Sequence, residues 1–255
     1  MRVVIKVGTS TLAHATGRLN IKRTNELCAV LSDLKNEGHE VILVSSGAIG
    51  MGAGKLGLKQ KPSDIPTKQA AAAIGQCELM YTYDRLFTEY NHTVAQILLT
   101  GSDFSAPDRH ANFNNTIFRL LELGALPIIN ENDTIATDEI KVGDNDTLSA
   151  LVAVSVNADL LVILSDVNGL YSADPRKDKN AALLRSVPLI TEEIEALAGG
   201  AGSALGTGGM KTKIHAAKLC AENGCETVIA NGKSPALLYE IVAGIKGKYT
   251  RFFAK

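Results

Sequence analysis

Lys6 stands inside an otherwise apolar run, VVIKV, and is followed at once by Gly8, Thr9 and Ser10. A lysine buried in a strand costs desolvation energy unless an anion meets it. The glycine and the two hydroxyl residues behind it are donors of the kind a phosphate needs; a side chain reaching past the strand end to water is the other reading. Two glycine clusters extend the theme: SSGAIGMGAGKLG over 45–57, and GTGGMKTK over 206–213, which carries Lys211 and Lys213. Glycines at a strand end or helix start let backbone N–H groups approach phosphate oxygens, and the helix terminus adds partial positive charge. Either cluster alone reads equally well as a tight turn, and the presence of two favours the phosphate. The opposite charge gathers in NENDTIATDEIKVGDNDTLSA over 130–150, where Glu131, Asp133, Asp138, Glu139, Asp144 and Asp146 surround one basic residue, Lys141. A divalent-metal site, a grip for a cationic substrate group and a solvated acidic loop compete for it.

Familiar motifs fit poorly. The Gly-Lys-Ser at 232–234 has Thr227 where a Walker A loop requires its first glycine. Gly52, Gly54 and Gly57 satisfy GxGxxG, yet the seven residues 45–51 separate them from the strand that should open a dinucleotide fingerprint. The His-Arg-Asp and Asp-Phe-Gly triplets of protein kinases do not occur. Cys28, Cys77, Cys220 and Cys225 form no CxxC pair, and the five histidines show no i, i+4 pair, which argues against a transition-metal centre. With 26 basic and 27 acidic residues the chain has no basic field for nucleic acid, and no stretch approaches the roughly 18 apolar residues of a membrane span. A cytoplasmic protein with reduced thiols is expected, without nucleic-acid or membrane partners.

The elements that must position these residues alternate short β-branched runs with helical stretches. Strands are expected at 2–7, 41–45, 93–99, 126–130, 160–165 and 227–230. Between them, Leu27, Val30, Leu31 and Leu34 make an i, i+3, i+4, i+7 stripe, Pro66 opens an Ala-rich helix, and further helices fall near 110–123, 146–156, 190–198 and 235–243. A glycine-rich turn is expected after the second strand. Near-continuous apolar strands mean that both sheet faces are covered. The fold class is therefore α/β, a three-layer αβα sandwich with a mostly parallel central sheet, whose ligands sit beyond the carboxyl ends of the strands. No Pro/Ser-rich linker interrupts it, so one continuous sheet with two lobes is expected.

The motifs IKVGTS, VSSGAIGMG, KQAAAAIGQ, PIINENDT, VGDNDTLSALVA, DVNGLYSADPR and GTGGMKTKIHAA run in this order over nearly the whole chain. In that order they resemble the glutamate 5-kinases of the amino-acid kinase superfamily. The resemblance implies transfer of the γ-phosphoryl group of ATP to the side-chain carboxylate of L-glutamate, the first step of proline biosynthesis, with Mg2+ brought by the nucleotide and no protein-held metal. It implies Lys6, Lys213 and Asp146 as catalytic residues. ATP would be bound by Lys6, Gly8, Ser165, Asp166 and the run Thr207, Gly208, Gly209, Met210, Lys211, Thr212 and Lys213, with Ser165 standing where many relatives carry threonine. Glutamate would be bound by Ser46, Gly47, Asn130, Asp133, Asp144 and Asn145. Asp133, assisted by Asp144 or Asp146, is expected to hold the substrate's ammonium group, with Asn145 orienting glutamate and Asp138 and Glu139 left as solvated surface. A lobe over about 1–158 would take glutamate and one over about 159–255 would take ATP. Many relatives continue into a C-terminal PUA domain where this chain ends at KGKYTRFFAK, so a short form is expected. A homo-oligomer, dimer or tetramer, and feedback by L-proline are also implied. A related kinase acting on another carboxylate or phosphate acceptor, and a dinucleotide-binding oxidoreductase, are the alternatives.

Overall fold

The computed structural model describes residues 1–14, 18–58, 60, 62–135, 145–198 and 209–255. In chain order its first half contains β1 (Arg2–Val7), α1 (Thr9–Leu12), α2 (Ile21–Asn36), β2 (Glu40–Ser45), α3 (Ala48–Lys55), α4 (Ile65–Thr88), β3 (Val94–Leu99), α5 (Gly101–Ser105), α6 (Pro107–Glu122) and β4 (Leu126–Glu131). There follow α7 (Asn145–Ser155), β5 (Leu160–Ser165), β6 (Ser186–Val187), α8 (Glu192–Leu197), α9 (Met210–Ala221), β7 (Glu226–Asn231), α10 (Leu237–Val242) and β8 (Tyr249–Phe252). The strands form one sheet in the order β3-β4-β2-β1-β5-β7-β8-β6, and among the described strand pairs only β7 and β8 run antiparallel. The N-terminal strand β1 is therefore interior, with Lys6 opposite Val44 of β2 on one side and Ile163 of β5 on the other.

Alternation across the pleat sorts the core into two faces. Val3, Ile5 and Val7 pack with Leu27, Leu31 and Leu34 of α2 and with Leu79, Tyr83 and Phe87 of α4. Those three α4 side chains recur every fourth residue and are all 0% exposed, which stabilises the fold by roughly 1.5–3 kcal/mol for each aliphatic or aromatic side chain buried. Val4 instead faces Phe113 and Ile117 of α6, Leu148 and Val152 of α7, and Ala216 and Cys220 of α9. Three layers result, as the apolar strands imply. Lys6 shares the face of Val4, so the strand period alone aims it beneath α7 and α9.

The glycine-rich turn expected after β2 is instead the helix α3. Gly47, at φ 109°, makes the left-handed turn from β2 into it, a conformation that costs other residues about 1–2 kcal/mol. The glycines that follow serve packing against α4. A Cβ at Gly52 would lie 1.8 Å from the carbonyl oxygen of Ala71, and one at Gly75 would lie 1.8 Å from that of Ala48. Each helix thus needs a glycine where the other's backbone crosses it. The strand β8 was also unanticipated, because a four-residue run containing Arg251 carries little strand signal; as an antiparallel partner of β7 it pairs Arg251 with Glu226 at 2.7 Å.

Candidate active site

Strands β4, β2, β1, β5 and β7 end side by side, bringing Asn130, Ser45, Val7, Ser165 and Asn231 to one edge of the sheet. Parallel sheets receive ligands in the crevice outside this edge. Helix α3 starts there directly after β2, the first turn of α7 meets Lys6 through Asp146, and the first turn of α9 meets that same Asp146 through Lys213. Three helix N-termini therefore contribute partial positive charge to the same edge.

At its centre lies a buried ion cluster. Lys6 Nζ is 2.7 Å from Asp146 Oδ1, and Lys213 Nζ donates to Asp146 Oδ2 at 2.9 Å. Thr212 Oγ1 lies 2.9 Å from the same Oδ2 and 2.8 Å from the carbonyl oxygen of Gly209. Relative exposure is 8% for Lys6, 5% for Lys213 and 0% for Asp146, so water does little to screen these charges. Burial alone would push the Asp146 carboxyl up, but the charges of Lys6 and Lys213 and their hydrogen bonds outweigh it and hold the group well below the usual carboxylate range. Two cations against one anion leave the cluster net positive. An ammonium carries three donors, so both lysines keep hydrogens for an incoming anion. A Cβ at Gly8 would stand 3.6 Å from Lys6 Nζ, so glycine leaves the lysine's approach uncrowded.

On the β2/β4 side, Asn145 Nδ2 lies 2.9 Å from the Ser45 carbonyl oxygen, 2.7 Å from Ser46 Oγ and 3.0 Å from Asn130 Oδ1. The Ser46 N–H donates to the Val7 carbonyl at 3.1 Å, tying this group to β1. Asp133 is half-buried and has no hydrogen-bond or ion-pair partner among the described residues. Burial pushes its carboxyl above the ordinary value. Such a group is suited to a cation supplied by a ligand. Asp146, by contrast, sets one oxygen against each lysine. Asp144, Thr207 and Gly208, together with Asp138 and Glu139, lie outside the described residues.

On the β5/β7 side, Ser165 Oγ donates to Asp166 Oδ1 at 3.1 Å. Asn231 Nδ2 donates to Asn168 Oδ1 at 3.0 Å, and Asn168 Nδ2 to Tyr171 Oη at 3.1 Å. Lys211 is exposed, whereas Met210 and Thr212 are half-buried on the first turn of α9, which Gly209 caps. Sequence reasoning singled out neither Tyr83, whose hydroxyl is 2.8 Å from Ser45 Oγ, nor Gln76, whose Oε1 accepts from Asn130 Nδ2 at 2.8 Å. A signal existed for Gln76: it is a polar residue on the buried face of an alanine-rich helix. Among the described residues no group of three or more His, Cys, Asp or Glu is placed to hold a metal ion.

Residues 1–231 match the model of the amino acid kinase family. The chain is 54% identical over 241 residues to a glutamate 5-kinase of Clostridium acetobutylicum, covering 94% of this chain and 90% of that protein. It is 52% identical over 247 residues to one of Clostridium perfringens, covering 95% and 92%. A third glutamate 5-kinase, of Caldanaerobacter subterraneus, is 52% identical over 246 residues, and there the match spans 96% of this chain but 66% of the relative. Among solved structures, the carbamate kinase of Giardia lamblia bound to AMP-PNP superposes with a TM-score of 0.68 at 20% identity, covering 100% of this chain and 98% of that one. The UMP kinase of Ureaplasma parvum gives 0.66 at 16% identity, covering 99% and 98%. At these identities the structural likeness speaks to the fold.

Proposed function

The chain belongs to the amino acid kinase family and, within it, to the glutamate 5-kinases, and we propose that it transfers the γ-phosphoryl group of ATP to the side-chain carboxylate of L-glutamate, yielding L-glutamyl 5-phosphate for proline biosynthesis. The observation that carries this reading is the Lys6–Asp146–Lys213 cluster, buried and net positive, at the end of interior strand β1, with Ser46 after β2 on one side and Ser165 at the end of β5 on the other.

A carboxylate acceptor, with a pKa near 4.3, is ionised at neutral pH and needs no general base. The barrier lies instead in driving an anionic nucleophile onto an anionic phosphoryl group, so the chain's task is to position both and offset their repulsion. Lys6, on β1, and Lys213, on α9, supply positive charge from two directions, and Asp146 bridges them in fixed geometry. Asp133 pairs with the substrate's ammonium group, while Ser46, Gly47, Asn130, Asp144 and Asn145 bind and orient glutamate. Ser165 and Asp166, Gly8, and the loop and first turn from Thr207 to Lys213 bind the nucleotide. The lobes divide accordingly, glutamate with the β1/β2/β4 portion over about 1–158 and ATP with the β5/β7 portion over about 159–255. Mg2+ is proposed to travel with the nucleotide phosphates, since the described residues do not form a cage for it.

L-proline, which shares a carboxylate and a cationic amine with glutamate, is proposed as a feedback inhibitor, and a homo-oligomer in the cytoplasm as the working form. The deciding experiment incubates the protein with MgATP and a panel of acceptors, trapping acyl phosphate with hydroxylamine, with and without L-proline. Glutamate-dependent hydroxamate is expected, with N-acetylglutamate inert because an acylated amine offers Asp133 no charge. Turnover confined to another acceptor would overturn the reading.

A further inference from the structure

Three side-chain amides beside the ion cluster are wired in one direction, and two backbone groups set it. The Ser45 carbonyl can only accept, so the Asn145 atom 2.9 Å from it is Nδ2. The Glu131 N–H can only donate, so the Asn130 atom 2.9 Å from it is Oδ1. That oxygen also accepts from Asn145 Nδ2 at 3.0 Å. The other end of Asn130 is then Nδ2, which donates at 2.8 Å to Gln76, whose contacting atom must be Oε1. Rotating any of these amides by half a turn would set like against like. Gln76 is itself 8% exposed, and its neighbour Gly75 crosses the backbone of Ala48 so closely that α4 cannot slide along α3 without a clash.

We infer that Gln76 is a positioning residue for the acceptor substrate: by accepting from Asn130 it fixes that amide, and through it the orientation of Asn145 and Ser46. This rests on the assignment of Ser46, Asn130 and Asn145 to the acceptor. It also deepens that assignment, because an Asn145 whose Nδ2 is spent on Ser45, Ser46 and Asn130 has only an acceptor, Oδ1, left for a ligand. An acceptor there selects for a hydrogen-bond donor such as a free α-ammonium group, in the same sense as Asp133.

The test is steady-state kinetics on the full chain with glutamate and MgATP. Gln76→Met, which fills the space without an acceptor, is expected to raise KM for glutamate about tenfold, with kcat and KM for ATP within about twofold of wild type. Gln76→Glu, which keeps an acceptor at the same reach, recovers most of the loss. In an Asn130→Ala background Gln76→Met adds nothing, since the effect runs through Asn130. A KM for glutamate within twofold of wild type in Gln76→Met, an equal rise in KM for ATP, or an undiminished effect in the Asn130→Ala background would each overturn the inference. Should Gln76→Met not fold, Gln76→Asn, whose acceptor is one methylene short, carries the same expectations. A wild-type protein inert toward glutamate would instead sink the proposed function, and the same variants would then be compared on the acceptor that the panel identifies.

Discussion

At the scale of single residues, the two halves of the site make opposite demands on charge. Lys6→Ala or Lys213→Ala removes one cation and leaves a neutral pair, so the protein folds; kcat is expected to fall by about 10²–10³ with little change in KM for glutamate. Asp146→Asn leaves two ammonium groups buried side by side. Breaking a buried ion pair in this way costs roughly 3–5 kcal/mol, on the order of a 10 °C drop in Tm, and added inorganic phosphate should raise the Tm of this variant more than that of wild type. Asp133 behaves in the reverse manner. Because its folded pKa is raised, it stabilises the fold only when protonated, and that contribution is lost as pH rises through the folded value. Asp133→Asn should therefore melt no lower than wild type at neutral pH while raising KM for glutamate by about tenfold or more. In the wild type, KM for glutamate should climb as pH falls through a window above the ordinary aspartate value of about 3.9, measured by initial rates at fixed MgATP. Lys6 was legible in the sequence because a charge in an apolar strand is conspicuous. Which of Asp133 and Asp146 faces the lysines was not legible from residue types, because the carboxylates of one acidic stretch look alike until the groups they face are known.

At the scale of elements, the same spacing that suggested phosphate binding turned out to serve two purposes. Gly47 stands at a strand end with a left-handed backbone, whereas Gly52 lies within α3 and yields space to Ala71. Gly52→Ala is expected to force α3 and α4 apart, destabilise the protein by about 1–3 kcal/mol, and raise KM for glutamate, since α3 carries Gly47 and Ser46 at its start. Gly57→Ala meets no atom within 4 Å and strains only a φ of +67°, so it should cost about 1 kcal/mol and leave the kinetics alone. Thermal melts and initial rates on both variants separate these outcomes. The strands and the long helices were readable from periodicity, because β-branched runs and an i, i+4 stripe leave a mark in the chain itself. Helix α3 was not, since glycine lowers helix propensity by about 1 kcal/mol per residue and only contact with α4 compensates.

At the scale of the whole molecule, one eight-stranded sheet runs through the described residues, and the ion cluster sits at the end of its interior strand β1. No described trio of ligating residues gathers around a metal, so EDTA should abolish turnover yet leave the Tm of the nucleotide-free protein unchanged; a lowered Tm would reveal a protein-held ion. The interior placement of the N-terminal strand has a consequence for how the chain acquires activity. Strand β1 meets β2 early, but its other neighbour, β5, arrives from beyond residue 158, Asn145 reaches Ser45 across 100 residues, and Lys213 reaches Asp146 across 67. Pairings of such long sequence separation close slowly. Phosphoryl transfer should thus be among the last properties to return after dilution from urea, lagging the recovery of helical circular dichroism, and partly folded chains would carry ordered helices while remaining catalytically silent.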